Sequence, residues 1–289
     1  MGTALPTKKQ VVKMAKAVNP GSPVERLPNI LQSPAVALRR IGTDLAGRAS
    51  GRADRLTPPS QLQNVGEGDF GAVGEAFVHY LQALAGLKPT DRLLDIGCGI
   101  GRTARVLARE LRPPGFYDGF DVVPESIAWC QKHYRATRAP FRFTHADLRN
   151  TTYNPGGRYT AAEYTFPYPD GAFDLVFAIS VFTHLVPESA DRYLSEASRV
   201  LAPGGRVLLT WFLLRDVPAP APDLDFHARC GAAAVIDPDN PEAAVAYPED
   251  WVRDRINANN LRLRDSIQYG SWRGTTSICY QDIVVADRA

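Results

Sequence analysis

From about residue 72 onward, short apolar runs alternate with amphipathic segments at an even interval. The runs that predict strands are RLLDIG (92–97), FYDGFDVV (116–123), FRFTHADL (141–148), FDLVFAIS (173–180) and RVLLTWFLL (206–214). Segments of helical periodicity cover 72–86, 103–112, 124–135 and 188–201. Nearly continuous apolar strands that alternate with helices are typical of a parallel sheet covered on both faces. The pattern therefore predicts a doubly wound α/β fold.

The ends of the chain and two insertions complete this organisation. A further helix is predicted at 248–259, followed by strand-like segments at 261–270 and 280–288. We interpret residues 1–60, which are rich in Pro, Gly and Arg, as an N-terminal extension, and residues 61–289 as one domain. The segments 151–171 and 215–247 interrupt the alternation. They are candidates for lids over a substrate.

The N-terminal extension is basic, whereas the rest of the chain is slightly acidic. Residues 1–60 hold ten Lys or Arg and three acids, which leaves 23 basic and 28 acidic residues for 61–289. Within residues 8–18, apolar side chains share one helical face between lysines. A basic amphipathic helix of this kind can lie on an anionic membrane surface. The plainer interpretation is a tail, or a helix that docks on the domain.

Composition excludes several classes of protein. The four cysteines are scattered, without a CxxC pair or a histidine cluster, so neither a disulfide framework nor a metal site is predicted. This usage fits a reducing cytoplasm. No apolar stretch of about 18 residues predicts a membrane span, and the N-terminus lacks the apolar core of a secretory signal. The net charge of +2, with no dense basic stripe in the domain, disfavours a nucleic-acid partner.

A glycine-rich turn follows the first predicted strand. The sequence LLDIGCGIGR places Gly97, Gly99 and Gly101 before a helix, with Asp95 two residues ahead of the first glycine. Glycines let the backbone bend tightly and approach a ligand, while helix N–H groups point into the crevice. The spacing is GxGxG, whereas dinucleotide-binding oxidoreductases use GxGxxG.

Acidic residues recur at the ends of the next two strands. Asp121 lies in GFDVVPESI and Asp147 in HADL, and the intervals Asp95–Asp121 and Asp121–Asp147 are both 26 residues. Each interval has room for one strand and one crossover helix. Because ligands of such sheets bind beyond the carboxyl ends of the strands, the three acids are predicted to face one crevice. Asp174 instead begins its strand, which favours a structural role at the opposite end.

In these residues the chain resembles the class I S-adenosylmethionine-dependent methyltransferases, over roughly residues 70–289. The resemblance implies a Rossmann-like sheet of seven strands, mostly parallel with an antiparallel last strand, with helices on both faces. It also implies S-adenosylmethionine as cofactor. Asp95 would organise the amino end, Asp121 would bind the ribose hydroxyls, and Asp147 would bind the adenine amino group. The other implied cofactor contacts are Gly97, Cys98, Gly99, Gly101, Val122, Leu148 and Ser180, with Val122 packing on adenine and Leu148 offering backbone polar groups.

Candidate residues for chemistry follow the fourth strand. His184, in SVFTHL, is the best candidate general base, because that strand end would face the cofactor methyl. The alternative is a histidine that packs beside the cofactor or caps the next helix. His145 has a weaker claim, since its strand leads toward the adenine side.

Aromatic residues crowd the first insertion. The candidates for the wall of an acceptor pocket are Tyr153, Tyr164, Phe166 and Tyr168, together with Trp272 between the last two strands. Such side chains combine apolar faces with hydroxyl or N–H groups. They could equally pack the loop against the domain.

The sequence thus predicts methyl transfer to a small molecule, with a hydroxyl of a sugar, lipid-linked glycan or secondary metabolite as the best guess. The absence of NPPY or DPPY after the fourth strand counts against amino methylation of adenine and glutamine, and the absence of Pro-Cys there counts against cytosine C5 methylation. Two alternatives stay open. One is a non-catalytic cofactor-binding or scaffold protein, in which the basic extension has the main role. The other is a nicotinamide-dependent oxidoreductase.

Overall fold

The computed structural model of the chain describes residues 54–63, 69–217, 222–264 and 266–289. The predicted helix at 8–18 and almost all of the basic extension lie outside the described residues. The prediction that they form a tail or a docking helix therefore stays a prediction.

Five α-helices of the described residues lie close to segments of helical periodicity. They are α1 (Phe70–Ala85), α2 (Arg102–Glu110), α3 (Pro124–His133), α4 (Pro187–Val200) and α5 (Glu249–Ala258). The Asp69 carboxylate caps the start of α1 by accepting a hydrogen bond from the Ala72 N–H at 2.7 Å. Gly86 ends the helix in the left-handed conformation, at φ 63°.

Eleven strands form two sheets in the described residues. The strands of the large sheet are β1 (Arg92–Ile96), β2 (Phe116–Asp121), β3 (Phe141–His145), β4 (Phe173–Ala178), β5 (Leu201–Trp211), β10 (Leu261–Leu263) and β11 (Asp282–Arg288). Their order across the sheet is β10-β11-β5-β4-β1-β2-β3. All neighbouring pairs from β5 to β3 are parallel, while β11 is antiparallel to both β5 and β10. The predicted seven-stranded, mostly parallel sheet with an antiparallel last strand is confirmed.

The strand order creates a crevice at the carboxyl ends of the central strands. The chain runs outward from β1 through β2 to β3, and then returns to β4 on the other side of β1. Connections therefore diverge between β1 and β4, and this switch point is where doubly wound sheets bind ligands. The glycine-rich turn after β1 lies at the same place.

Alternating residues of β1 serve two separate cores. Leu94 and Ile96 belong to one cluster of buried side chains, and Leu93 belongs to the cluster on the other face of the sheet. Successive residues of a strand point to opposite faces. Asp95 therefore shares the face of Leu93, among the buried residues Tyr117 and Cys130 of the second cluster.

The segment APGG (202–205) lies within β5 and interrupts its pairing with β4. Leu201 already pairs with Phe173, and pairing resumes at Arg206 with Leu175. Four residues of β5 thus lie opposite a single residue of β4 and bulge from the ladder. Gly204, at φ 71°, permits this bulge.

The second insertion forms a small sheet of its own. Strands β7 (Ala228–Cys230), β8 (Ala233–Val235) and β9 (Val245–Pro248) pair with β6 (Leu213–Leu214) in the order β6-β9-β8-β7. A separate cluster of buried residues lies beside it, formed by Phe212, Leu224, Ala244, Ala246 and Trp272. The sequence pattern of 215–247 does not indicate these short strands.

Asp174 lies at the opposite end of the sheet from the crevice. Its two oxygens accept hydrogen bonds from the Arg92 guanidinium, at 2.7 and 3.0 Å, and Oδ2 also accepts from the Arg92 backbone N–H at 2.9 Å. This contact joins the starts of β1 and β4. The structural role predicted for Asp174 agrees with this position.

Candidate functional site

The glycine-rich loop is held against β2 by backbone hydrogen bonds. The N–H groups of Gly97 and Cys98 both donate to the Phe120 carbonyl, at 2.9 and 3.0 Å. A Cβ atom at Gly97 would overlap Val181 Cγ2, whereas one at Gly99 would meet no atom within 4 Å. The backbone at Gly99 therefore borders open space that a ligand can enter, while Gly97 is needed for packing.

Asp121, the last residue of β2, is fixed in place by this loop. Its Oδ2 accepts from the Gly99 N–H at 2.7 Å, and its Oδ1 accepts from the Val123 N–H at 2.9 Å. Burial raises the pKa of the carboxyl despite these hydrogen bonds. An ionised carboxylate has about four lone-pair sites, so about two remain for a ligand.

Asp95 is a second buried carboxyl group beside the loop. It is 3% exposed and accepts a hydrogen bond from the Tyr117 hydroxyl at 2.7 Å. Burial raises the pKa of Asp95 to about 8, and the nearby Asp121 charge adds to the effect. No described residue forms an ion pair with either carboxyl group. Two buried acids without a cation favour a ligand that brings positive charge.

Asp147 and Leu148 follow β3 and differ in accessibility. Asp147 Oδ2 lies 2.6 Å from Nε of the exposed Arg158, whose hydrogen bond lowers the pKa of the carboxyl. Leu148 is 1% exposed, and its N–H donates to the Ala146 carbonyl at 2.7 Å. Its carbonyl accepts from Asn154 Nδ2 at 3.0 Å.

Ser180 lies just past β4 in an unusual backbone conformation, with φ 57°. A serine in this left-handed region is uncommon and needs support from its surroundings. Its N–H donates to Thr210 Oγ1 at 2.7 Å, and its Oγ donates to Gln281 Oε1 at 3.0 Å. Strands β4 and β5 and the residue before β11 thus meet at one point of the crevice.

His184 lies in a short 3₁₀ turn, Phe182–His184, after the same strand. Its Nδ1 is 2.9 Å from the Glu242 carbonyl oxygen. Because a carbonyl can only accept, Nδ1 carries the hydrogen and Nε2 of the neutral ring has a free lone pair. Burial lowers the pKa of His184, which favours the neutral ring at pH 7. The Tyr153 ring lies edge-on to the His184 ring, with 6.4 Å between the two centroids.

Comparison with known proteins agrees with this geometry. Residues 94–209, from β1 to β5, match a family model described as a methyltransferase domain. Residues 94–209 of the chain thus form a methyltransferase domain. This stretch contains the glycine-rich loop and the strand ends that carry the acids.

Individual relatives of the methyltransferase domain differ in what they act on. The 27-O-demethylrifamycin SV methyltransferase of Amycolatopsis mediterranei is 37% identical over 156 residues, 51% of this chain and 48% of that protein. A human tRNA N(3)-cytidine methyltransferase, METTL2B, is 29% identical over 127 residues, 43% of this chain and 30% of that protein. The chain thus spans about half the length, or less, of these curated relatives.

A solved structure supports the fold. The S-adenosylmethionine-dependent methyltransferase of Mesorhizobium loti superposes with a TM-score of 0.50 at 15% sequence identity. The superposition covers 74% of this chain and 98% of that chain. At this identity the likeness establishes the architecture alone.

Three aromatic residues of the predicted acceptor pocket pack instead in or against the hydrophobic clusters. Phe166 is 1% exposed, with its ring against Phe120 at 4.9 Å and Tyr193 at 5.1 Å. Tyr168 packs edge-on against Phe173, which begins β4 at the end of the sheet away from the crevice. Trp272 is 2% exposed, and its Nε1 donates to Asp282 at 2.8 Å. For these three side chains, burial of the ring in the protein interior takes the place of the predicted contact with an acceptor.

The other predicted contacts stay predictions, and their packing is as follows. Tyr164 is half-buried against the Phe120 ring at 5.7 Å, and Val122 packs on the same core. The N–H of Leu148 is bonded to Ala146 and its carbonyl accepts from Asn154, and the contact of its backbone polar groups with adenine stays a prediction. Cys98 is buried, and burial raises the pKa of its thiol, which agrees with a packing role.

Sequence reasoning missed a residue that joins the two insertions of the methyltransferase domain. The carboxylate of Glu242 accepts hydrogen bonds from Asn150 Nδ2 at 3.1 Å, from the Thr151 N–H at 3.0 Å and from the Thr151 hydroxyl at 3.2 Å. Its carbonyl binds His184. Glu242 therefore connects the segment after β3, the second insertion and His184. A lone glutamate in a Pro/Ala-rich segment carries no sequence signal for this role.

In the described ranges, no group of three or more His, Cys, Asp or Glu residues is arranged to hold a metal ion. None of the helices in that part of the chain combines the length and the apolar character needed to cross a membrane.

The raised pKa of Asp95 predicts how cofactor affinity varies with pH. If the ionised carboxylate binds a cationic ligand group, affinity for S-adenosylhomocysteine rises as pH approaches 8, by up to about tenfold per pH unit between about pH 5.5 and 7.5. The stability of the unliganded protein changes with pH in the opposite direction. The folded carboxyl keeps a proton that the unfolded one, with its ordinary pKa of 3.8, has lost, so the free energy of unfolding falls as pH rises toward 8.

Calorimetric titration and chemical denaturation across this pH range check both trends. In Asp95→Asn we expect weaker binding, with a flatter pH dependence of affinity and of stability. A variant that keeps both wild-type slopes would contradict the assignment to Asp95.

Proposed function

We propose that the chain transfers the methyl group of S-adenosylmethionine to a small-molecule acceptor, with a hydroxyl as the accepting group. The observation that carries the proposal is the geometry of Asp121. Its carboxylate is fixed by the N–H groups of Gly99 and Val123, at the open part of the glycine-rich loop. A carboxylate held in this way can accept both hydrogen bonds of a ribose diol.

The residues of the crevice fit this cofactor. Asp121 would bind the ribose, Asp95 the amino group, and the loop from Gly97 to Gly101 the methionine part. Asp147 would bind the adenine amino group with the oxygen that Arg158 does not occupy. The positive charge of the cofactor would favour the ionised forms of Asp95 and Asp121, whose pKa values burial raises, and this supports the choice of ligand. When bound, the cofactor supplies a sulfonium-activated, electrophilic methyl group.

His184 would act as the general base for the acceptor hydroxyl. The hydrogen bond from Nδ1 to Glu242 fixes the tautomer in which Nε2 can take a proton. Burial lowers the pKa of His184, so the base form is the main species at neutral pH. We infer that Tyr153 and Tyr164, together with the insertions at 151–171 and 215–247, cover the acceptor and exclude water.

The acceptor class rests on less direct support. The rifamycin relative is named for a small-molecule substrate, and the near-neutral domain has no dense basic stripe. The cytidine relative is named for tRNA, so tRNA belongs in any test of the acceptor. We further propose that residues 61–289 act as one catalytic domain in the cytoplasm, where its four free thiols would stay reduced.

Binding and turnover assays test the proposal separately. Titration with S-adenosylhomocysteine and with NAD distinguishes a methyltransferase from an oxidoreductase, and we expect binding of the former only. Transfer of labelled methyl from S-adenosylmethionine to hydroxylated small molecules, with total tRNA as a parallel substrate, then tests the acceptor. Tight NAD binding without S-adenosylhomocysteine binding would overturn the proposal. Cofactor binding without transfer to any member of a broad panel would favour the scaffold alternative.

A further inference from the structure

An arginine at the start of the second insertion has no ion-pair partner among the described residues. Arg215 follows β6 and is half-buried, with Cζ lying 3.7 Å from the centroid of the Tyr269 ring. Its Nε is buried and has no hydrogen-bond partner among the described residues. No described acid forms an ion pair with it. A buried guanidinium N–H without an acceptor is uncommon, and it indicates a place for a ligand oxygen.

A second arginine holds the segment that carries Arg215. Arg273 is 8% exposed, and its guanidinium donates to the backbone carbonyls of Leu213, Arg215 and Val217 at distances from 2.5 to 3.4 Å. Its hydrogen bonds are directed to the chain itself, so Arg273 is a positioning residue. Its charge nevertheless adds to the positive potential around Arg215, and burial together with Arg215 lowers the pKa of Arg273.

Asp282, whose charge acts on both arginines, is already committed to other donors. Asp282 accepts from the N–H groups of Leu213 and Gly270 at 2.8 and 2.7 Å, and from Trp272 Nε1 at 2.8 Å. Three donors and no acceptor identify it as a carboxylate. The two arginines and Asp282 together carry one net positive charge, which suits a singly charged anion.

The position of Arg215 relates it to the acceptor and not to the cofactor. Asp282 pairs with Trp211 at the carboxyl end of β5, and the preceding residue, Gln281, accepts from Ser180 Oγ. Arg215 therefore lies beyond the ends of β4 and β5, on the other side of Ser180 from the glycine-rich loop. Arg215 is also the first residue of the second insertion (215–247), which in the proposed function covers the acceptor.

We propose that Arg215 binds a carboxylate group of the methyl acceptor, so that the substrate is a hydroxylated monocarboxylic acid. The planar guanidinium is oriented by stacking on Tyr269, whose hydroxyl donates to Glu249 Oε2 at 2.9 Å. A guanidinium held in this way offers Nε and one terminal nitrogen as a fork that matches the two oxygens of a carboxylate. The inference rests on the proposed function, because it names the acceptor of the same site.

Matched acids and amides test the inference on the full-length protein. The probes are 4-hydroxybenzoate, 4-hydroxycinnamate and 12-hydroxydodecanoate, each with its neutral amide, added to protein saturated with S-adenosylhomocysteine. Binding is measured by saturation-transfer NMR and calorimetry. We expect at least one acid to bind about tenfold or more tightly than its amide. The difference should disappear in Arg215→Gln and be partly retained in Arg215→Lys.

Arg229→Gln is the matched control, because Arg229 is an exposed arginine of β7 in the same small sheet. It should keep the full preference for acids. Equal binding of every acid and amide, or an unchanged preference in Arg215→Gln, would overturn the inference. S-adenosylhomocysteine affinity and thermal melting, measured on each variant, separate this result from misfolding. If the wild-type protein does not bind S-adenosylhomocysteine, the proposed function itself is overturned.

Discussion

Replacing Asp121 by alanine should weaken S-adenosylhomocysteine binding about a hundredfold. The substitution removes the acceptor of two predicted ribose hydrogen bonds, each worth about 1.5 kcal/mol when the acceptor is charged. It also releases the Gly99 N–H, so the loop loses a 2.7 Å contact that fixes its shape. Asp121→Asn should lose less, about tenfold, because the amide oxygen can still accept. Calorimetric titration at constant pH measures both values.

Asp174→Asn is the matched control for this prediction. It also changes a carboxylate of a central strand, but near the start of that strand. This is the opposite end of the sheet from the crevice, where Asp174 binds Arg92. We expect lower stability in chemical denaturation with unchanged affinity for S-adenosylhomocysteine. Equal losses of affinity in Asp121→Ala and Asp174→Asn would indicate that both act through folding, and the ribose assignment would then be wrong.

Replacing His184 by glutamine should reduce turnover by about 10²- to 10⁴-fold while leaving cofactor affinity within a few-fold. Glutamine can still donate to the Glu242 carbonyl but cannot take a proton at neutral pH. The pKa of His184 is lowered from 6.5 by burial, so the wild-type rate should be flat near pH 7 and fall below that pKa, as the ring becomes protonated. His184→Gln should lose this decline from its rate profile.

His145→Gln is the corresponding control, because His145 is exposed at the end of β3 and its Nε2 lies 3.2 Å from the Val122 carbonyl. We expect turnover within about threefold of wild type. The measurement is the initial rate of labelled methyl transfer as a function of pH, with an acceptor found in the screen. A wild-type rate in His184→Gln would exclude the histidine as the base.

The sheet, and the strand ends that carry the proposed cofactor residues, could be predicted because local sequence patterns determine them. Apolar runs placed β1 to β5 nearly correctly, and parallel strands necessarily bring Asp95, Asp121 and the residues after β3 to one edge. The glycine spacing carries information for a related reason, since Gly97 and Gly99 have φ of 73° and 52°, which other residues rarely adopt.

The acceptor side could not be predicted in the same way, because its contacts join residues far apart in sequence. Asn150 and Thr151 meet Glu242 across about 90 positions, and Ser180 meets Gln281 across 101. Aromatic composition was also ambiguous, since Phe166 and Tyr153 lie in one insertion but only Tyr153 reaches His184. The contact of His184 with Glu242 is also invisible in the sequence, because the acceptor is a backbone carbonyl, which every residue type has.

The two glycines that begin the loop are under different constraints, with a consequence for how related sequences can diverge. Gly97 is required by the protein itself, because a side chain there would overlap Val181. At Gly99 a side chain would enter space that meets no protein atom, so apart from its φ the constraint comes from the ligand. In a lineage that kept this fold but abandoned the cofactor, position 97 should remain glycine under purifying selection. Position 99 would be free to drift first toward asparagine, which tolerates the left-handed conformation.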